Sequence, residues 1–287
     1  RFKFFLYLNE NLISIFMRNL CKSFSLVIIL MSVFSSCSKK GCTDPMSLSY
    51  DVEAKKDDGN CTYPENVKRS LVFLKTWTGC PPCGTDGNLI HDSIESVYGN
   101  TAQVISLYTS ALACAEGIMI QNHLNNLFGQ QGTPRFYLST DQVMPNYWYV
   151  FDSITPQIME QNQVSIASDF NINNGKMNIK VQSQLENGFS GENCNLALYV
   201  TEDKMVHSQS TNNGTDENFI HKDVLRIEAQ GLEFGSSISF NSEGKNLTEL
   251  ELTLAPSTIW NYDNLHVNAV IWEFDGSNYK FINVSAD

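Results

Sequence analysis

Two cysteines separated by two prolines, Cys80-Pro81-Pro82-Cys83, are the residues whose type and spacing best suit covalent chemistry. Two intervening residues bring the sulfurs within bonding distance across one helical turn. A thiol at a helix N-terminus faces unpaired N–H groups and the positive end of the helix dipole. Such thiols have pKa values of roughly 3.5–7.5, against about 8.5 for a free cysteine. Cys80 is therefore expected as the attacking thiolate and Cys83 as the thiol that resolves a mixed disulfide. A CxxC is also half of a zinc site, but no second CxxC or paired histidine follows at ligand spacing. The five histidines, His91, His123, His207, His221 and His266, are scattered. No metal and no cofactor is expected. A permanent structural disulfide is the third reading of the pair.

The surrounding pattern must position that pair. Residues 67–77 form an apolar run with the flanks of a buried strand, and the cysteines follow it directly. Ile90, Ile94, Val97 and Tyr98 then recur at helical spacing, with Gly99 as a stop. Pro82 suits a first helical turn, where its missing N–H costs nothing. Residues 103–108 read as a second strand, parallel to the first because a helix lies between them. Ile120, Leu124, Leu127 and Phe128 mark a second helix, and Pro134 stands at the entrance to a third strand. Proline is tolerated there only at a strand start or a special turn, so a cis Thr133–Pro134 bond is expected. Thr155-Pro156 reads as the start of a last helix, with proline at its first position.

Taken together, residues 67–162 resemble a thioredoxin-like domain with Cys80 and Cys83 as its redox pair. The resemblance implies that Thr133 and Pro134 contact the disulfide and the substrate backbone, with Trp77 close by. The strand before the motif carries Leu74 and Lys75. The carboxylate that thioredoxin buries in this strand has no counterpart here.

The amino-terminal segment reads as an export signal. Arg18 and Lys22 precede an apolar run from Phe24 to Phe34, and Ser35-Ser36-Cys37 follow. The run is shorter than the about 20 residues that a bilayer-spanning helix needs. It resembles a bacterial lipoprotein leader, which implies lipidation of Cys37 and a membrane anchor there, with Met17 as an internal start. The chain of 287 residues has a net charge of −12. Residues 1–37 hold Arg1, Lys3, Arg18 and Lys22 against Glu10, a net of +3, leaving −15 on residues 38–287. So acidic a body argues against nucleic acid as a partner.

Export implies an oxidising compartment. Cys42 and Cys61 bracket a segment, within residues 38–66, too small to bury a core, and a structural disulfide is expected between them. Such a bond stabilises a loop of this size by about 3 kcal/mol. Its Asp44, Asp57 and Asp58 are oxygen donors of the kind calcium uses, with a solvated acidic spacer as the alternative. Cys114 has three open readings: a further redox thiol, a partner for Cys194, or a small buried hydrophobe.

After residue 163 the helical period gives way to alternation. Met177, Ile179 and Val181 interleave with polar residues, as do Leu250, Leu252 and Leu254. Asn173-Asn174-Gly175 and Asp275-Gly276-Ser277 read as hairpin turns. An antiparallel β-sandwich over residues 163–287 is expected, with Trp260 and Trp272 either in its core or on a docking surface. The fold expectation is thus an α/β thioredoxin-like domain followed by an all-β sandwich. An acylated leader, a thioredoxin-like domain and a sandwich together resemble the outer membrane protein twenty-eight-related lipoproteins of Gram-negative bacteria. The run from His221 to Arg226 resembles a segment those proteins share. Two functions follow as expectations. One is an envelope thiol–disulfide oxidoreductase acting on exported protein thiols or disulfides. The other is a redox-inert outer-membrane binding or scaffolding lipoprotein, in which the thioredoxin-like domain is a docking platform.

Overall fold

The computed structural model describes residues 38–144 and 146–286. The expected leader, including Cys37, lies outside them. Contacts divide the chain into a small unit, of which residues 38–43 and 51–60 are described, and a large unit of residues 44–50 and 61–287. In the small unit Lys39 pairs with Asp51 and Glu53, and Lys40 bridges to Lys56. In the large unit Asp44 accepts a hydrogen bond from the Tyr63 hydroxyl at 2.6 Å and one from the Met46 N–H. These bonds hold its carboxyl below the usual range.

The large unit starts with β1 (Ser70–Thr76), α1 (Asn88–Tyr98), β2 (Ala102–Tyr108), α2 (Ala115–Phe128), β3 (Arg135–Leu138), β4 (Gln142–Val143) and α3 (Val150–Ile158). All seven residues of β1 are buried, as a strand covered on both faces requires. It pairs in parallel with β2, Val72 opposite Val104, and antiparallel with β3, Val72 opposite Leu138. Val72, Leu74 and Val104 meet Ile90 and Ile94 of α1 and Ile154 of α3. Leu71, Phe73, Ile105 and Leu107 meet Ile120 and Leu124 of α2 on the opposite face. Helix α3 begins at Val150, earlier than Thr155-Pro156 suggested, and Pro156 lies inside it.

The remaining strands are β5 (Val164–Asn173), β6 (Lys176–Leu185), β7 (Cys194–Glu202), β8 (Met205–Val206), β9 (Gln209–Thr211), β10 (Gly214–Asp216), β11 (Ile220–His221), β12 (Val224–Glu228), β13 (Ser236–Ser237), β14 (Lys245–Thr253), β15 (Leu265–Phe274) and β16 (Tyr279–Val284). They form two packed antiparallel layers, as expected, but one layer is continuous with the sheet of β1–β3 rather than separate from it. The large sheet runs β16-β15-β7-β12-β2-β1-β3-β4, with β13 beside β7. β12 joins the free edge of β2 in parallel, Val224 opposite Ser106. An uncovered β2 would present unpaired N–H and C=O groups between two apolar faces, and β12 removes that edge. The partner lies more than a hundred residues away, so local pattern carried no sign of it.

The second layer is the antiparallel sheet β5-β6-β14. Asn174 and Gly175, at φ +52° and +74°, close the β5–β6 hairpin as a primed turn demands. Its Val164, Ile166, Met177, Ile179 and Val181 pack on Leu196, Leu198, Val200, Val267, Ala269 and Ile271 of the large sheet. Trp272 is fully buried and stacks on Phe73 of β1 with ring centroids 6.4 Å apart, and Trp260 is buried too. Both are core residues and form no docking surface. Among the described residues no helix is long and apolar enough to cross a membrane.

One glycine is dictated by a close backbone approach. A Cβ on Gly235 would lie 1.9 Å from the Leu196 carbonyl oxygen, and its φ is +65°. Gly235→Ala therefore forces β13 off β7. A loss of about 3 kcal/mol or more is expected in urea unfolding. An unchanged midpoint would refute the approach.

Candidate functional site

β1 delivers the chain to the cysteine turn. The Cys80 N–H donates to the Trp77 carbonyl at 3.2 Å, and the Cys83 and Gly84 N–H groups donate to the Cys80 carbonyl at 3.1 and 3.3 Å. Residues Cys83–Gly87 form a π-helical turn that runs into α1, a wide turn that often marks functional positions. Cys80 and Cys83 are joined as a disulfide with Cα atoms 5.2 Å apart. Cys80 Sγ accepts the Cys83 N–H at 3.2 Å. Each cysteine is only 5% exposed, whereas Pro81 and Pro82 face solvent.

The other residues expected at the site come together around the pair. The Thr133–Pro134 bond is cis. The Thr133 carbonyl oxygen lies 3.6 Å from Cys80 Sγ. Pro134 packs so closely on Gly87 that a Cβ there would sit 3.1 Å from the proline's own. Trp77 is 44% exposed, with its ring folded over Gly79. Cys42 and Cys61 are not free thiols. The lipidation expected at Cys37 falls outside the described residues. Cys114 and Cys194 are both free. Cys114 caps α2, its sulfur accepting the Gly117 N–H at 3.3 Å, and burial pushes its pKa up to about 11. Cys194 lies in the apolar core, and burial pushes its pKa up to about 12. Neither is poised as a nucleophile.

Sequence reasoning missed the segment from Met205 to His221. Its strands pair as β8 with β11 and β9 with β10, and it lies directly on the cysteine turn. The Gln209 amide, buried, donates to the carbonyls of Trp77 and Cys80 at 3.3 and 3.0 Å. The Ser210 N–H donates to the Thr78 carbonyl at 2.8 Å, and the Asn212 N–H to the Thr85 hydroxyl at 3.0 Å. A Cβ on Gly84 would meet the Ser210 carbonyl oxygen at 2.5 Å. Only glycine fits there.

Behind Cys83 lies a polar cavity of about 20 Å³, whose lining includes His91, Tyr108, His221 and Lys222. The His221 Nε2 donates to the His207 carbonyl at 3.1 Å, so its Nδ1 accepts the Tyr108 hydroxyl at 2.6 Å. This imidazole is held neutral, and burial lowers its pKa to about 4. His91 Nε2 meets Asp223 Oδ2 at 2.9 Å. Among the described residues, His91, Glu95 and Asp223 hold ligand atoms close enough together for a metal. Lys222 already places its ammonium 2.8 Å from Glu95 and 3.0 Å from Asp92, so a cation of the protein sits among these carboxylates. The only sign of these residues in the sequence was the run from His221 to Arg226.

The family described as Outer membrane protein Omp28 matches residues 121–286, more than half of the chain. The chain belongs to that family. Membership makes it an outer-membrane or envelope protein. The matched Omp28 region takes in Thr133, Pro134, the hairpin segment and the His221–Arg226 run, and it begins after Cys83. No curated protein matches this Omp28 member. Among solved structures it is similar to HBP35 of Porphyromonas gingivalis, with a TM-score of 0.67 and 13% identity over 78% of this chain and 76% of that one. At that identity the likeness is one of fold.

Two outcomes follow. Gly84→Ala should cost about 1–3 kcal/mol in urea unfolding and speed reduction of the Cys80–Cys83 bond by dithiothreitol, because the hairpin segment must lift. Unchanged reduction kinetics would mean that this segment does not cover the bond. His221 is depressed from about 6.5 to about 4, so the unfolded chain binds its proton first. The stability from its neutral form is complete above pH 6.5 and lost as pH falls toward 4. His221→Gln should remove a few kcal/mol of that pH dependence, measured by urea unfolding across the window. Parallel curves for the two proteins would contradict the buried neutral imidazole.

Proposed function

We propose that this envelope protein is a thiol–disulfide oxidoreductase, with residues 67–162 as a thioredoxin-like domain. The observation that carries the reading is the placement of Cys80 Sγ beside the Thr133 carbonyl and cis-Pro134 at the start of a helical segment. Trp77, whose carbonyl accepts the Cys80 N–H, offers an exposed apolar wall beside the cysteine turn. In the reductive direction the Cys80 thiolate attacks a substrate disulfide, forming a Cys80–substrate bond and releasing one substrate thiolate. Cys83 then displaces the second, and the pair ends oxidised by two electrons. The substrates are thiols or disulfides of exported proteins. A lipid on Cys37 holds the molecule at the membrane, and no nucleic acid, metal or cofactor takes part.

One observation favours a redox-inert scaffold instead. Both cysteines are 5% exposed and the Gln209 segment clamps the turn, as a permanent staple under a docking platform would require. The reduction potential separates the two readings. The oxidoreductase should have a potential above about −300 mV, and Cys83→Ser should accumulate mixed disulfides on Cys80 in the envelope. A lower potential together with no trapped partner leaves the staple.

A further inference from the structure

We propose that His91, held by Asp223, accepts the proton of Cys83 when that thiol resolves a mixed disulfide, so that the run His221-Lys222-Asp223 completes the proton chemistry of the pair. The inference rests on the oxidoreductase reading. Cys83 is the sulfur that needs help. It is buried, and burial disfavours the thiolate that must attack. β1, the strand that leads into the motif, contributes Leu74 to the cavity and no carboxylate.

The cavity itself contains the alternatives. Of its titratable residues, Tyr108 donates its proton to His221, and burial raises its pKa above the ordinary phenol value. His221 has both ring nitrogens engaged and holds a proton only near pH 4. Lys222 is a cation already bound to Glu95 and Asp92. His91 remains. Its Nε2 is committed to Asp223 Oδ2 at 2.9 Å, which makes Nδ1 the accepting nitrogen. Burial works against its protonation, but the Asp223 hydrogen bond and charge, with the charge of Glu95, outweigh burial and the opposing charge of Lys222. The net direction is upward, as a base for a thiol needs. A cavity of about 20 Å³ seats one water, enough to relay a proton between Cys83 and the imidazole. Asp223 reaches His91 from a backbone at φ +47°, a conformation few residues other than glycine, asparagine and aspartate adopt.

The step balances. The Cys83 S–H proton passes to His91 Nδ1. The Cys83 thiolate attacks Cys80 Sγ of the mixed disulfide, the Cys80–Cys83 bond forms, and the Cys80–substrate bond breaks. The substrate leaves as a thiolate and takes a proton from solvent. His91 returns its own proton to solvent through the cavity. Asp223 is a positioning residue in this scheme.

The test uses the whole chain with glutathione disulfide as probe, following first the attack of Cys80 and then the release of glutathione as Cys83 resolves. In the wild type the second step should lose rate on the acid side with a midpoint above 6.5, as His91 becomes protonated. Asp223→Asn should move that midpoint to lower pH. His91→Gln should replace that limb with the ionisation of the Cys83 thiol itself, at higher pH, and slow resolution about 100-fold at pH 7, leaving the first attack unchanged. Should His91→Gln fail to fold, the midpoint shift in Asp223→Asn decides. Wild-type resolution in His91→Gln, or an unmoved midpoint in Asp223→Asn, overturns the assignment while the oxidoreductase reading stands. A wild type that never forms a glutathione adduct overturns both.

Discussion

The pairing of β12 with β2 is the constraint on which the rest of the molecule depends. One registered pair, Val224 with Ser106, is reinforced by the hydrogen bond from the Ser106 N–H to the Asp223 carbonyl at 2.8 Å. β2 otherwise ends the N-terminal sheet as an open edge with apolar side chains on both faces. By closing it, β12 brings β7, β15 and β16 into the same sheet. The residues just before β12 are thereby set against α1. His221, Lys222 and Asp223 reach Tyr108, Asp92, Glu95 and His91 because Val224 is where it is.

Packing makes that junction hard to undo. Phe73 of β1 stacks on Trp272 and meets Tyr199 edge-on, and Phe234 bridges Trp272 to Tyr279. These rings come from both halves of the chain and form one cluster with Leu71, Ile105 and Leu225. Each fully buried large side chain contributes about 1.5–3 kcal/mol relative to exposure. A boundary near residue 163 would expose this cluster, which both halves of the large unit share, beside clusters that lie within each half. The Arg226–Glu202 pair at 3.3 Å, its carboxylate buried and its guanidinium partly buried over the Trp260 ring, adds a polar contact in the same region. Such a pair specifies arrangement more than it stabilises.

Local features were legible in the sequence because their causes are local. The cysteine turn follows from strand, proline and helical period. The cis bond at Pro134 follows from proline chemistry, and the Asn174-Gly175 turn from the φ values those residues tolerate. The alternation of Met177, Ile179 and Val181 gave the inner face of β6. What stayed hidden depends on distance along the chain. Gln209 meets Cys80 from 129 positions away, and His91 meets Asp223 from 132. A glutamine in a polar stretch has no period that marks it as a clamp. A histidine on an otherwise amphipathic helix reads as an ordinary interior residue. Even the His221–Arg226 run, visible as a segment, did not disclose which helix it would grip.

The two sulfurs are made unequal by these long-range contacts as much as by the motif. Cys80 Sγ accepts the Cys83 N–H within the turn, so on reduction its thiolate has an amide donor that sequence spacing alone supplies. In the proposed oxidoreductase that asymmetry selects Cys80 as the attacking sulfur, but it does nothing for the second. Cys83 faces inward, toward a cavity whose polar walls come from α1, β2 and the segment leading into β12. A CxxC turn lifted out of this fold would keep the first advantage and lose the second. The β-rich half is therefore part of the environment of the cysteine pair, and the surroundings of Cys83 are set at the junction between β2 and β12.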